Sequence, residues 1–359
     1  MESIYVTKPF LPPLEEFTEY LEQLWQTGIL THNGPLLHQF ERELQDYFNL
    51  KHVVCVSNGT IAIQLAIKAL KLKGEIITTP LTFIATADAI LWEKCTPVFV
   101  DIDRNTLNIS PEQIERNITD KTVGILAVHV FGNPCNVSEI DSIACRHNLK
   151  VIYDGAHAMG VNIDGKTVFS YGDISTVSFH ATKLLQTFEG GAVITTNEDI
   201  ANRLRRLRFF GYEGRTITDE GFNGKMTEVS AAMGLVNLKY LDDVISRRKV
   251  LYDKYLSLLS TCQKVCFQKI DSHSFNYSYF PVIFEAEEKL LQAEKCLNES
   301  NIFPKRYFYP SLNTLEFFPL KGHTPNSERI AKTILCLPLY DSMREDTVEM
   351  IAHIIADVV

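Results

Sequence analysis

Apolar and polar positions along the chain fall into two alternating rhythms. Short runs that are nearly all apolar, HVVCVS, EIITT, TPVFVDI, TVGILAVHVF, LKVIYD, ISTVSFH and GAVITT, read as strands. Helical stretches lie between most of them. TIAIQLAIKALKL is one, another starts at Ser110-Pro111-Glu112 with a capping serine and proline at its first turn, and a third covers Val137 to His147. An earlier amphipathic segment places Leu14, Phe17, Leu21, Leu24 and Trp25 on one helical face. Apolar strands separated by helices predict an α/β fold, a mostly parallel sheet covered on both faces.

Near residue 225 the rhythm changes. From Thr227 to about Leu259 the pattern predicts long helix, with Ala231, Ala232, Leu235, Leu238 and Leu241 at helical spacing. Beyond it, short strands such as YSYFPVIF alternate with helices such as EEKLLQAEKCLNE, the mark of a smaller α+β unit. The expected division is a large domain over 1–240 and a small C-terminal domain over 241–359.

Composition narrows the class. A chain of 359 residues suits one large core and one smaller one. With 45% apolar and 22% charged residues it has the balance of a soluble enzyme, which excludes disordered, collagen-like and coiled-coil chains. Forty-four acidic against thirty-five basic residues give a net charge of −9, unsuited to non-specific nucleic-acid binding. No apolar run approaches the roughly 20 residues that span a bilayer. The start, Met1-Glu2-Ser3, lacks the basic and apolar segments of a secretory signal, so a cytoplasmic protein is expected. The eight cysteines form no Cys-x-x-Cys, and Cys262 and Cys266 lack a second pair, so free thiols are expected. His129, His157, His180 and His323 show no metal-ligand spacing, and no metal is expected.

In doubly wound sheets, ligands gather at the carboxyl ends of strands. Asp154 ends LKVIYD and precedes Gly155-Ala156-His157; an aspartate there either caps the next turn or faces a ligand. Lys183, in SFHATKLLQTFEGGAVITT, follows another strand. It is either solvated or, beside His180, Thr182 and apolar neighbours, held at a depressed pKa that suits a Schiff-base lysine. Ser57-Asn58-Gly59-Thr60 joins a strand to a helix, either as a plain cap or as a cradle of N–H groups for an anion. Phe83, after EIITT, serves as core or as a stacking platform. Together, in this order, the four features supply what pyridoxal phosphate needs: phosphate cradle, ring platform, aspartate for the pyridine nitrogen and lysine for the aldehyde.

The ordered blocks Gly34-Pro35 with Phe40-Glu41, SNGT, TTPLTF, VFVDID, HVFGNP, YDGAHAMG, SFHATK with EGGA, and NGKMTEVSAAMGL resemble the DegT/DnrJ/EryC1/StrS sugar aminotransferases over essentially the whole chain. The resemblance implies a fold-type I pyridoxal-phosphate enzyme. Its motifs look most like the branch that makes dTDP-4-amino-4,6-dideoxyglucose from dTDP-4-keto-6-deoxyglucose, with L-glutamate as amino donor. Such a sugar would enter the O-antigen of a lipopolysaccharide, another surface glycan or a secondary metabolite.

Carried over by motif, Lys183 binds the cofactor aldehyde, Asp154 pairs with the pyridinium, and Phe83 and Ala156 flank the ring. His157 stands beside the ring hydroxyl, while Gly59, Thr60 and Ser178 hold the phosphate. Asn223, in NGKM, reaches the phosphate of the neighbouring subunit, which implies a homodimer with shared sites. His180, Lys225, Arg306 and Tyr309 are the candidates for substrate contact. The sequence departs from the commoner pattern at Asn58, where serine is frequent, and at Gly224-Lys225, where many members have Tyr-Arg. The rivals are an aminotransferase acting at a 3-keto group, the family's dehydratases and a regulator. Dehydratases carry histidine at the lysine position, so Lys183 argues against that branch, and no basic DNA-reading element supports a regulator.

Overall fold

The computed structural model describes residues 3–270 and 275–359; Met1 and Glu2, part of the start read above, lie outside it. Seven strands form the main sheet: β1 (His52–Val56), β2 (Glu75–Thr78), β3 (Thr96–Phe99), β4 (Thr122–Val128), β5 (Lys150–Asp154), β6 (Ile174–Ser178) and β7 (Gly191–Thr195). Their spatial order is β1-β7-β6-β5-β4-β2-β3. β7 alone runs against its neighbours, pairing antiparallel with both β1 and β6. Residues 179–190 contain no helix, and without a crossover helix β7 returns beside β6 in the opposite direction.

Alternation along the strands feeds two cores. Val53 and Cys55 of β1 join Leu37, Phe40 and Leu44 from helix Pro35–Phe48 on one face. Val54 and Val56 join Ala62, Leu65 and Ala66 of helix Gly59–Ala69 on the other. A period of two with both faces buried leaves no polar stripe, which is why these strands read as continuous apolar runs. The helices Val137–His147 and Glu287–Glu299 begin and end where the pattern placed them.

The long helix expected from Thr227 is two helices, Glu228–Leu238 and Leu241–Leu259. The first packs on the main sheet through Ala231, Ala232 and Leu235. The second gives Leu251, Tyr255 and Leu259 to a separate core, so the bend at Lys239-Tyr240 lets one stretch serve two cores. That second core lies on a three-stranded antiparallel sheet, β8 (Val265–Phe267), β9 (Phe280–Phe284) and β10 (Ile334–Leu337). The first helix, Leu14–Thr27, buries Phe17 and Leu24 but leaves Leu14 and Trp25 exposed. Four cysteines are buried, two half-buried, and Cys145 and Cys266 exposed; all eight are free thiols.

Candidate active site

The carboxyl ends of β5 and β6 and the start of helix Gly59–Ala69 open on one cavity of about 480 Å³. Among its lining residues are Gly59, Thr60, Phe83, Asp154, Ala156, His157, Ser178, His180 and Lys183. Gly59 to Lys183 thus converge although well over a hundred positions separate them in the chain.

The helix start is built for close approach. Asn58 caps it, its Oδ1 accepting the Ile61 N–H at 2.9 Å, which leaves the Gly59 and Thr60 N–H groups without partners inside the helix. A Cβ at Gly59 would lie 2.9 Å from the Ser178 Cβ, so only glycine lets the helix start sit against Ser178. SNGT is thus a cap, and it leaves N–H groups free to face an anion.

Asp154 is buried, and each carboxylate oxygen has one donor. Oδ1 accepts the Ala156 N–H at 3.0 Å and Oδ2 accepts the Thr86 hydroxyl at 2.9 Å. Thr86 is itself hydrogen-bonded to Thr82 at 2.9 Å. Burial still pushes the Asp154 pKa up, against those two donors and the charge of Lys183. A buried carboxylate in this condition favours a cationic partner from the cavity.

The Lys183 amine is brought down to about 8, chiefly by burial, with Asp154 opposing. An amine half-neutral near pH 8 can act as nucleophile and as proton carrier. Nζ lies 3.4 Å from the Tyr279 hydroxyl. His157 is buried and its pKa is driven well below the ordinary imidazole value by burial. Its Nδ1 accepts the Phe131 N–H at 3.1 Å, which assigns the proton to Nε2. Phe131 holds a left-handed backbone, φ 57°, to present that N–H.

Other expected residues lie elsewhere. Asn223 and Lys225 do not line this cavity. Asn223 is exposed, and its Oδ1 accepts from Lys225 Nζ at 2.5 Å, which also sits 4.9 and 4.6 Å from the Phe209 and Phe210 ring centres. Arg306 pairs with Glu287 at 2.7 Å and stacks 3.8 Å over Tyr309, and neither side chain lines the cavity. From that segment the structure brings Tyr307 and Phe308 to the lining instead. Sequence reasoning also missed Thr86 and Tyr279. Thr86 sits three positions after Phe83 in TTPLTFIAT, so one turn of helix presents both to the same cavity, a signal that was readable.

The profile of the DegT/DnrJ/EryC1/StrS aminotransferase family matches residues 14–356. The chain belongs to this family. It is 42% identical to a dTDP-4-amino-4,6-dideoxy-D-glucose transaminase of Shigella dysenteriae, over 99% of both chains. To the transaminase of that description from Escherichia coli it is 39% identical, over 99% of this chain and 98% of the other. The crystal structure of DesI with its TDP-sugar product superposes with a TM-score of 0.93 at 32% identity, covering 99% of this chain and 93% of DesI.

As a DegT/DnrJ/EryC1/StrS aminotransferase the chain is an enzyme whose cofactor is pyridoxal 5′-phosphate, and the residues present fit that group. The open N–H groups beside Ser178 suit its phosphate, buried Asp154 its ring nitrogen, and the depressed Lys183 amine its aldehyde.

Proposed function

We propose that the protein transfers the amino group of L-glutamate to C4 of dTDP-4-keto-6-deoxyglucose, giving dTDP-4-amino-4,6-dideoxyglucose. The observation that carries this reading is likeness over nearly the full length, at 42% and 39% identity, to two transaminases described by that product. When bound, the cofactor supplies an electron sink for the carbon that exchanges its proton. Lys183 Nζ takes that proton and returns it, and its amine near pH 8 suits both directions. Asp154, steadied by Thr86 and the Ala156 N–H, keeps the ring nitrogen protonated. Phe83 and Ala156 would flank the cofactor ring, the Nε2 proton of His157 would be available to its ring oxygen, and Gly59, Thr60 and Ser178 would hold its phosphate.

Asn223 lies outside its own chain's cavity, which supports a role at the phosphate of a second subunit and hence a homodimer with shared sites. Lys225 beside it, and His180 at the cavity mouth, are the side chains best placed to meet a substrate's diphosphate and sugar. Residues 1–240 would carry the cofactor groups, and 241–359 contribute Tyr279, Tyr307 and Phe308 to the cavity wall. A cytoplasmic enzyme supplying an amino sugar to O-antigen or another lipopolysaccharide fits these parts. Assay of the purified protein with glutamate and a panel of keto-sugar nucleotides, with mass and NMR of the product, tests the reading. The 4-keto-6-deoxyglucose nucleotide should be converted with the highest kcat/KM; preference for a 3-keto isomer would overturn it.

A further inference from the structure

The phenol of Tyr279 comes from the small-domain side yet ends within the cofactor cavity, 3.4 Å from Lys183 Nζ. Its ring is buried and held edge-on by Phe131 and Tyr307, at 5.7 and 5.6 Å, and tilted against His157 at 4.7 Å. The short segment before it is tied to the loop that follows β5. Asn276 Nδ2 donates to the carbonyls of His157 and Met159 at 2.7 and 2.8 Å, and Ser278 Oγ donates to that of His157 at 3.2 Å. Arg248, fully buried, donates to the Ser278 carbonyl from behind at 3.1 Å. The segment thus fixes the phenol relative to the loop after Asp154, and no other hydrogen bond of Lys183 Nζ is seen among the described residues.

We propose that Tyr279 is a positioning residue that holds the free Lys183 amine in both of its protonation states. The chemistry of the pair supports this. A phenol oxygen accepts from an ammonium, and a phenol O–H donates to a neutral amine, so one partner serves both forms. Burial raises the Tyr279 pKa, with Cys336 adding to it and Arg248 opposing, so the phenol keeps its proton while the lysine gains and loses one. The other groups facing Nζ cannot serve both forms: ionised Asp154 only accepts, and His157, its Nδ1 taken by the Phe131 N–H, only donates. His180 and Glu189, on the lysine's own loop, are exposed and face each other at 3.7 Å. Tyr307 touches the phenol ring and records no hydrogen bond to the amine. During turnover Lys183 is free whenever the cofactor carries the amino group, and a parked amine then keeps the proton within reach of the reacting carbon.

The inference rests on Lys183 being the cofactor-bearing lysine, and borohydride reduction of the wild-type holoenzyme with peptide mapping tests that separately. Label on another residue defeats the functional reading; label on Lys183 leaves the present inference to its own test. That test is competitive acetylation of the apoenzyme with acetic anhydride across pH, followed at the Lys183 peptide by mass spectrometry. A hydrogen bond to the ammonium is stronger than one to the amine, so Tyr279→Phe should lower the titration midpoint from about 8 and quicken acetylation at pH 7 by about three- to tenfold. 3-Fluorotyrosine at position 279, a weaker acceptor of the same shape, should move the midpoint the same way by less. Wild-type behaviour in Tyr279→Phe, or a shift upward in either variant, overturns the proposal.

Discussion

Thr86→Val isolates how the protein controls Asp154. The substitution keeps the shape of a buried side chain and removes the hydroxyl that donates to Oδ2 at 2.9 Å. Asp154 is left with the Ala156 N–H alone, in a place where burial already pushes its pKa up. A hydrogen bond to a charged group contributes about 1.5–3 kcal/mol, so the ionised carboxylate is disfavoured by that order. If half or more of this loss reaches the step that needs the protonated ring nitrogen, the rate falls by about 4- to 160-fold. The assay is stopped-flow reaction of the holoenzyme with glutamate, read by loss of the cofactor's visible absorbance. Thr86→Ser should retain most of the rate, because it restores the donor. The variant also strands the Thr82 hydroxyl, which costs stability by itself. Thr82→Val breaks that bond while sparing the one to Asp154, and should lower thermal stability without the rate loss. Thr86→Val reacting within twofold of wild type, while Asp154→Asn is crippled, would refute the argument that Thr86 sustains the charge.

Asp154→Asn itself should keep the cofactor bound and lose rate more severely than Thr86→Val, measured by cofactor absorbance after gel filtration and by turnover, since the phosphate cradle is untouched. Lys183→Ala should abolish transamination by several orders of magnitude, and Asn223→Ala should be impaired if it serves a partner's site. Where Asn223→Ala alone is severely impaired, refolding the two variants together should restore up to about a quarter of wild-type activity by random pairing, and no recovery in demonstrated mixed dimers would assign Asn223 to its own chain. In the apoenzyme the Lys183 pKa drops from 10.5 to about 8 on folding, so the burial cost is complete below pH 8. Between those values the unfolded chain binds a proton that the folded chain does not, and stability should climb with pH. Urea titrations at pH 8 and 9.5 should show that gain in wild type and its loss in Lys183→Met.

The sequence by itself was enough for whatever depends on neighbours within one element. The apolar runs of β1, β2, β5, β6 and β7, the Ser110 cap of Pro111–Arg116 and the span Val137–His147 follow from side-chain period and capping, which act over a turn or two. Asp154 and Lys183 could be singled out for a related reason, Asp154 ending one apolar strand and Lys183 following another by five residues, at the edge where a parallel sheet exposes its ligands. Tertiary structure decided what depends on distant segments meeting. It turned β7 against its neighbours and broke the helix at Lys239-Tyr240 to serve two cores. It gave helix Pro35–Phe48, which has no side-chain cap at Gly34, the Glu228 carboxylate as acceptor for the Leu36 and Leu37 N–H groups. It set Thr86 on Asp154 and Tyr279 on Lys183, and turned Tyr307 and Phe308, in place of Arg306 and Tyr309, toward the cavity. No local period encodes such pairs, because each exists only after the intervening chain has been ordered and the contact must offset the entropy of closing that loop.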